Sequence, residues 1–310
     1  MAAIKTERLI KRYGKTTAVA GLDLEIEEKD IFGFIGPNGA GKTTTIRVLA
    51  TLLAPSYGRA FIHDIDVMRK PYEVKKIIGF MPDSFGTYRD VNCHEYLDFF
   101  ARAYGLIGRA RSERLKWVLG FTGTESMAEK PIRGLSKGMK QRLCLGRALI
   151  HDPAVMILDE PAAGLDPRAR IELRRMIREL ADRGKTILIS SHILTELAEM
   201  CDSVGIIEQG RLLATGSVDQ IQHQRSQHRE VVIRVLGQAE AAVTHLEQRD
   251  AVGTAIVDGD LIRFEFSGDL VHQAALVTWL VGLGYQIAEV NSHKKSLEDV
   301  FLQVTEGLVQ

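Results

Sequence analysis

The nine residues GPNGAGKTT (36–44) constrain this chain more than any other stretch of it. An apolar run, IFGFI (31–35), precedes them and TIRVLATLL follows, so the glycines join a buried strand to a helix. Such a turn lets successive backbone N–H groups point inward, and the helix start adds its positive dipole end. Together these hold phosphate oxygens. The pattern G-x-x-x-x-G-K-[ST] is met by Gly36, Gly41, Lys42 and Thr43, with Pro37, Asn38, Gly39, Ala40 and Thr44 completing the loop. Lys42 is expected to reach the β- and γ-phosphates and the Thr43 hydroxyl to ligate Mg2+. The chain is therefore expected to bind a nucleoside triphosphate.

A second stretch, AVMILDEP (154–161), reads as a fully apolar strand ending in two carboxylates. Asp159 would hold Mg2+ through water, and Glu160 would polarise the attacking water beside the γ-phosphate as general base. Strands often end in acidic residues at a turn, but pairing with the phosphate loop favours the chemical reading. Ahead of it lies LSKGMKQR (135–142), in which Ser136 opens a helix. Its hydroxyl, the Gly138 N–H and the helix dipole form an anion site. Alone, this stretch would be a capped amphipathic helix.

With the first two motifs, LSKGMKQR resembles the L-S-G-G-Q signature of the nucleotide-binding subunits of ATP-binding cassette (ABC) transporters. Leu135, Ser136 and Gly138 are kept, and Lys137 and Met139 stand at the other two places. The resemblance covers about residues 3–220. It implies an α/β fold of the P-loop NTPase type: a RecA-like α/β core, an antiparallel β subdomain, and a helical subdomain at about 85–153. It also implies ATP as nucleotide and Mg2+ as metal, with Thr43, Asp83 and Asp159 as the metal-side residues. Tyr13 matches the aromatic residue that stacks on adenine. Asp166, in Gly164-Leu165-Asp166, matches the loop through which two copies communicate. His192 matches the histidine that contacts the γ-phosphate and steadies the catalytic glutamate. Ser136 and Gly138 would face the γ-phosphate held by a second copy. Two departures stand out. Asp83 occupies the place of the family's Gln, where it would either serve Mg2+ through water or point away, capping the turn before Ser84 and Phe85. Ala162-Ala163 replaces a more polar pair.

The chain has 40 Lys plus Arg against 40 Asp plus Glu, so it lacks the basic excess of proteins that live on nucleic acid. Its start has no apolar core of signal-peptide length, and AALVTWLVGLG (274–284) is about half of what spans a bilayer. Separate membrane permease subunits are therefore expected as partners, with the chain peripheral on the cytoplasmic face. Aromatic residues in 84–104 (Phe85, Tyr88, Tyr96, Phe99 and Phe100) are the candidate docking surface, with simple helix core as the alternative for the last three. Cys93, Cys144 and Cys201 are odd in number and never spaced as C-x-x-C, and read as small buried hydrophobes.

The cassette is expected to occupy 1–221, a polar linker 222–229, and a β-α-β-β-α-β ferredoxin-like module 230–310 with an added helix at 296–305. Within it, Asp258-Gly259 reads as a hairpin turn. That module, ending in SLEDVFLQVTE, resembles the tail of export-branch ATPases handling drugs, lipids, polysaccharides and sodium. A soluble ABC ATPase acting on ribosomes or DNA is the competing reading. One cassette, no coiled coil and zero net charge weigh against it. A small-molecule kinase would leave the signature and His192 unexplained.

Overall fold

A computed structural model describes residues 2–84, 86, 91–218, 220–221 and 229–293. They divide into two compact units, one reaching Gly216 and the other beginning at Ser217.

Near the N-terminus, inward and outward residues alternate, as a sheet with one wet face requires. β1 (Ala2–Tyr13) pairs antiparallel with β2 (Thr16–Glu27). On its other edge it pairs with a strand at Tyr57–Ile62, and Ile65–Asp66 closes this four-stranded sheet. Ile4, Leu9, Leu22, Leu24 and Ile26 point into one apolar cluster.

The second sheet is built from runs that are apolar on both faces. These are β3 (Ile31–Ile35), β6 (Ile78–Met81), β7 (Val155–Asp159), β8 (Thr186–Ser191) and β9 (Ser203–Glu208), counting the Tyr57 and Ile65 strands as β4 and β5. β3 lies parallel between β8 and β9, and β7 parallel between β6 and β8. β10 (Arg211–Ser217) completes the order β10-β9-β3-β8-β7-β6. All residues of β3, β7 and β8 are buried, as a parallel sheet covered on both faces demands. The carboxyl ends of these strands converge on one edge, where open α/β sheets bind ligands.

Residues 95–119 read as continuous helix in the sequence, but two helices are present, with α1 (Lys42–Leu49) and α2 (Pro71–Ile77) preceding them. α3 (Cys93–Ala103) ends where Gly105 takes φ +81°. There the Leu106 N–H bonds the Ala101 carbonyl and the Gly105 N–H bonds the Arg102 carbonyl, a paired stop that satisfies the last carbonyls. α4 (Gly108–Phe121) then starts afresh. Tyr96, a candidate for docking surface or helix core, is 1% exposed and belongs to the core, whereas Phe99 is 58% exposed. Phe85 and Tyr88 lie outside the described residues. The three cysteines are free and buried.

The second unit carries β11 (Arg229–Val235), β12 (Val252–Asp258), β13 (Leu261–Phe266) and β14 (Ile287–His293) in the order β12-β13-β11-β14. A helix at Ala239–Leu246 follows β11, and another at Leu270–Gly282 follows β13. This is the ferredoxin-like arrangement. Asp258 pairs with Leu261, so the hairpin turn is Gly259-Asp260, one residue later than the sequence suggests, with Gly259 at φ +62°. The polar run 222–228 and the helix expected at 296–305 lie outside the described residues. Among the described residues, no helix is long and apolar enough to cross a membrane.

Candidate active site

The loop between β3 and α1 exists only because two of its residues lack a Cβ. At Gly36 a Cβ would sit 2.3 Å from the Ile207 carbonyl oxygen. At Gly41, where φ is +105°, it would sit 2.4 Å from that of Ala18. Both obstacles are backbone, so a side chain at either position forces the sheet apart. Gly41 then leads into α1, whose first residue is Lys42.

The Lys42 ammonium folds back across the loop, donating to the Gly36 carbonyl at 2.5 Å and the Pro37 carbonyl at 3.2 Å. It lies 3.6 Å from Glu160 Oε1 with 6% of its side chain exposed. Burial lowers its pKa, and the negative charges of Glu160 and Asp159 pull it back up.

Asp159 closes β7, 1% exposed. Its Oδ1 accepts from Ser190 Oγ at 2.6 Å and from Thr43 Oγ1 at 3.3 Å. Burial raises its pKa, hydrogen bonds from Ser190 and Thr43 oppose that, and the charges of Asp83 and Glu160 reinforce it. Ser190 Oγ also accepts the Glu160 N–H at 3.0 Å, so one hydroxyl ties both consecutive acids to β8. Glu160 sits at φ +48°, a left-handed conformation that costs a non-glycine residue about 1–3 kcal/mol and concentrates at working sites. There Glu160 Oε2 lies 2.8 Å from His192 Nδ1, just beyond the end of β8.

These groups open on one cleft of about 490 Å3, lined by Ala18, residues 37–44, Asp83, Glu160, Ala163 and His192. The phosphate loop, Asp83, Glu160 and His192, distant in sequence, thus meet at one place, with Asp159 beneath. Asp83 lines the cleft and does not point away from it, and it also accepts the Ser84 N–H at 2.8 Å. Among the described residues, Tyr13, Ser136, Gly138 and Asp166 stand outside the cleft's lining. Tyr13 ends β1, 48% exposed. Ser136 caps α5 (Lys137–Leu149), accepting the Met139 N–H at 3.3 Å. Asp166 caps α6 (Pro167–Asp182), accepting the Ala169 N–H at 2.8 Å. Sequence reasoning missed Ser190; its signal was a hydroxyl closing the buried run KTILIS ahead of His192. It also missed Ala18, which β2 contributes without any local signal.

A glycine loop between strand and helix, with Lys and Thr at the helix start and two consecutive acids at the end of β7, one strand removed from β3 in the same sheet, defines a P-loop nucleoside triphosphatase. The family profile described as "ABC transporter" matches residues 19–163. The chain is 34% identical over 304 residues to the daunorubicin resistance ATP-binding protein DrrA3 of Streptomyces coeruleorubidus, covering 98% of this chain and 96% of that protein. It is 36% identical over 305 residues to the bacitracin transport ATP-binding protein BcrA of Bacillus licheniformis, covering 98% and 97%. A solved ATP-binding subunit of an ABC transporter superposes with a TM-score of 0.66 at 30% identity, over 72% of this chain and 92% of that one. The chain belongs to the ATP-binding subunits of ABC transporters and is an ATPase.

Proposed function

We propose that this chain drives export by hydrolysing ATP as a homodimer beneath separate membrane subunits, on the cytoplasmic face. The observation that carries the reading is the continuous set of contacts Lys42–Glu160–His192 and Thr43–Asp159–Ser190 at one strand edge. In this reading the loop N–H groups and Lys42 bind the phosphates. Glu160 accepts the proton of the attacking water, and His192 fixes the carboxylate's direction. The hydroxyl and carboxylate oxygens of Thr43, Asp159 and Asp83 suit a hard cation that keeps water ligands, and their crowding of negative charge is what such a cation relieves. Mg2+ bound there would neutralise developing charge on the phosphates. Export is supported by the names of the relatives, drug resistance and bacitracin transport.

Ser136, Gly138 and Asp166, outside their own chain's cleft, would complete the site of a second copy, and Tyr13 would stack on adenine. The membrane partner would dock on a groove of about 220 Å3 lined by Leu52, Phe80, Phe100, Tyr104 and Arg147. The cassette would extend to about residue 221 and the C-terminal unit act as an accessory module.

Ser136→Glu tests the shared site. Glutamate there gives up the Ser136 cap, at a cost of about 1 kcal/mol to α5, and sets a negative charge where the second copy's γ-phosphate would lie. ATP binding should survive while hydrolysis falls about 10²-fold, the usual loss when one stabilising donor goes. Mixing this variant with Lys42→Ala should restore at most one working site per heterodimer. A normal rate in Ser136→Glu overturns the shared site.

Asp83 yields a separate expectation. Asp83→Ala should raise the Mg2+ concentration giving half-maximal ATPase activity, and Asp83→Gln should preserve activity. A Mg2+ titration at fixed ATP with an unchanged midpoint for Asp83→Ala removes it from the metal side.

A further inference from the structure

α6 presents Arg170, Arg174 and Arg178 at a helical spacing of four, on one face. Each meets an acid in the segment following His192. Arg170 Nη1 lies 3.0 Å from Glu196 Oε1, Arg174 is paired with Glu199, and Arg178 Nη1 lies 2.6 Å from Asp202 Oδ1. The last two pairs have both partners a third or more exposed, and such pairs contribute little by themselves. Glu196 differs, since its side chain is 10% exposed in α7 (Leu194–Ala198). Its partner Arg170 makes a second contact through Nε, which donates to the Leu165 carbonyl at 3.1 Å. One guanidinium therefore hydrogen-bonds the carbonyl immediately before Asp166 and, as an ion pair without a hydrogen bond, sits beside a carboxylate one helical turn beyond His192.

Glu196 also lies within electrostatic reach of the active site. Burial raises its pKa, the Arg170 guanidinium beside it and then His192 lower it, and Glu160 raises it again. The groups that face it are thus Arg170 from α6, His192 and Glu199 from its own segment, and Glu160 from the end of β7.

We propose that Arg170 and Glu196 are positioning residues for hydrolysis. They fasten the Gly164–Asp166 loop to the segment carrying His192, so a displacement of that loop is felt at the His192–Glu160 contact. The planar guanidinium donates through Nε to the Leu165 carbonyl while its delocalised charge lies beside Glu196, an arrangement the point charge of lysine reproduces poorly. The inference rests on the proposed roles of Glu160 and His192 and adds what couples them to the loop facing a second copy. Neither Arg170 nor Glu196 touches the nucleotide cleft, so loss of either should leave ATP binding alone and slow the chemical step.

The test uses the full chain, with kcat and KM for MgATP, the Kd of a fluorescent ATP analogue and Tm measured together. Glu196→Gln, nearly isosteric, and Arg170→Lys, which keeps the charge, should each lower kcat about tenfold or more, as small misplacements of reacting groups do. KM and Kd should stay within about twofold, the pattern of an interaction that matters only beyond the ground state. The reversed pair Arg170→Glu/Glu196→Arg restores opposite charges but offers the Leu165 carbonyl an acceptor instead of a donor. Its Tm should recover while its kcat stays low; recovery of both shows a merely structural ion pair and overturns the proposal. A kcat within about twofold of wild type in Glu196→Gln and Arg170→Lys also overturns it. Glu160→Gln is run alongside. If it is inactive while those two variants are active, the coupling alone fails. If Glu160→Gln is fully active, the reading of the site itself fails.

Discussion

Glu160→Gln is expected to slow ATP hydrolysis by about 10²–10⁴, the range that a positioned general base supplies, while leaving ATP bound. The amide has the carboxylate's shape, and its oxygen can still accept from His192 Nδ1, which lies 2.8 Å from the present Oε2. The Ser190 tether to the Glu160 N–H is a backbone contact and is untouched. What disappears is the charge that would take the water's proton and that supports the nearby Lys42 ammonium. ATP then persists in the site and should hold two copies together. Gel filtration should show a dimer with ATP and a monomer with ADP. A variant that binds ATP yet stays monomeric in both would remove the sandwich. Unchanged turnover would remove Glu160 as base.

Lys42→Ala should act at the preceding step, on affinity. Charge-assisted hydrogen bonds of the kind Lys42 would make to phosphate contribute about 1.5–3 kcal/mol, or roughly 10- to 150-fold in Kd. The loss is partly offset, because the ammonium already carries a burial cost reflected in its lowered pKa. The lysine also bridges the Gly36 and Pro37 carbonyls, so the loop loses an internal brace as well as a phosphate contact. Equilibrium binding of a fluorescent ATP analogue, followed by competition with ATP, reads the change. A Kd within about twofold of wild type would exclude Lys42 from phosphate binding.

Much of the cleft was legible because its parts are local. Gly36, Gly41, Lys42 and Thr43 sit in one turn, and Asp159 and Glu160 end one strand, so chain spacing alone carries their geometry. Ser190 was not legible. Its role depends on β8 lying beside β7 with Asp159 opposite Ser190, a pairing that no local pattern states. The division of 95–119 into α3 and α4 was missed because apolar periodicity runs across Gly105. The left-handed φ at that residue and the paired hydrogen bonds it allows mark the stop. Tyr96 stayed open between docking surface and helix core for a similar reason, since an aromatic residue on a helix shows its period and not which face meets the core; its burial selects the core. The one-residue shift of the Gly259-Asp260 turn came from register, which the pairing of Asp258 with Leu261 fixes and composition does not.

The placement of β3 has a consequence for how the protein is made. The strand that launches the phosphate loop has no sequence neighbour at its side: Ile31 pairs with Ile187, and Phe32 pairs with Leu188 on one edge and Ser203 on the other. During synthesis, this strand and its glycine loop emerge early and then wait, unpaired, until β8 and β9 are available. Distant pairings of this kind slow folding and leave apolar strand edges exposed meanwhile. The strand's five buried residues are therefore an apolar stretch that a nascent chain exposes until its partners arrive. A ribosome-bound chain with residues up to about 180 free of the tunnel should fail to retain ATP. One with residues beyond about 210 free should gain that ability in a single cooperative step.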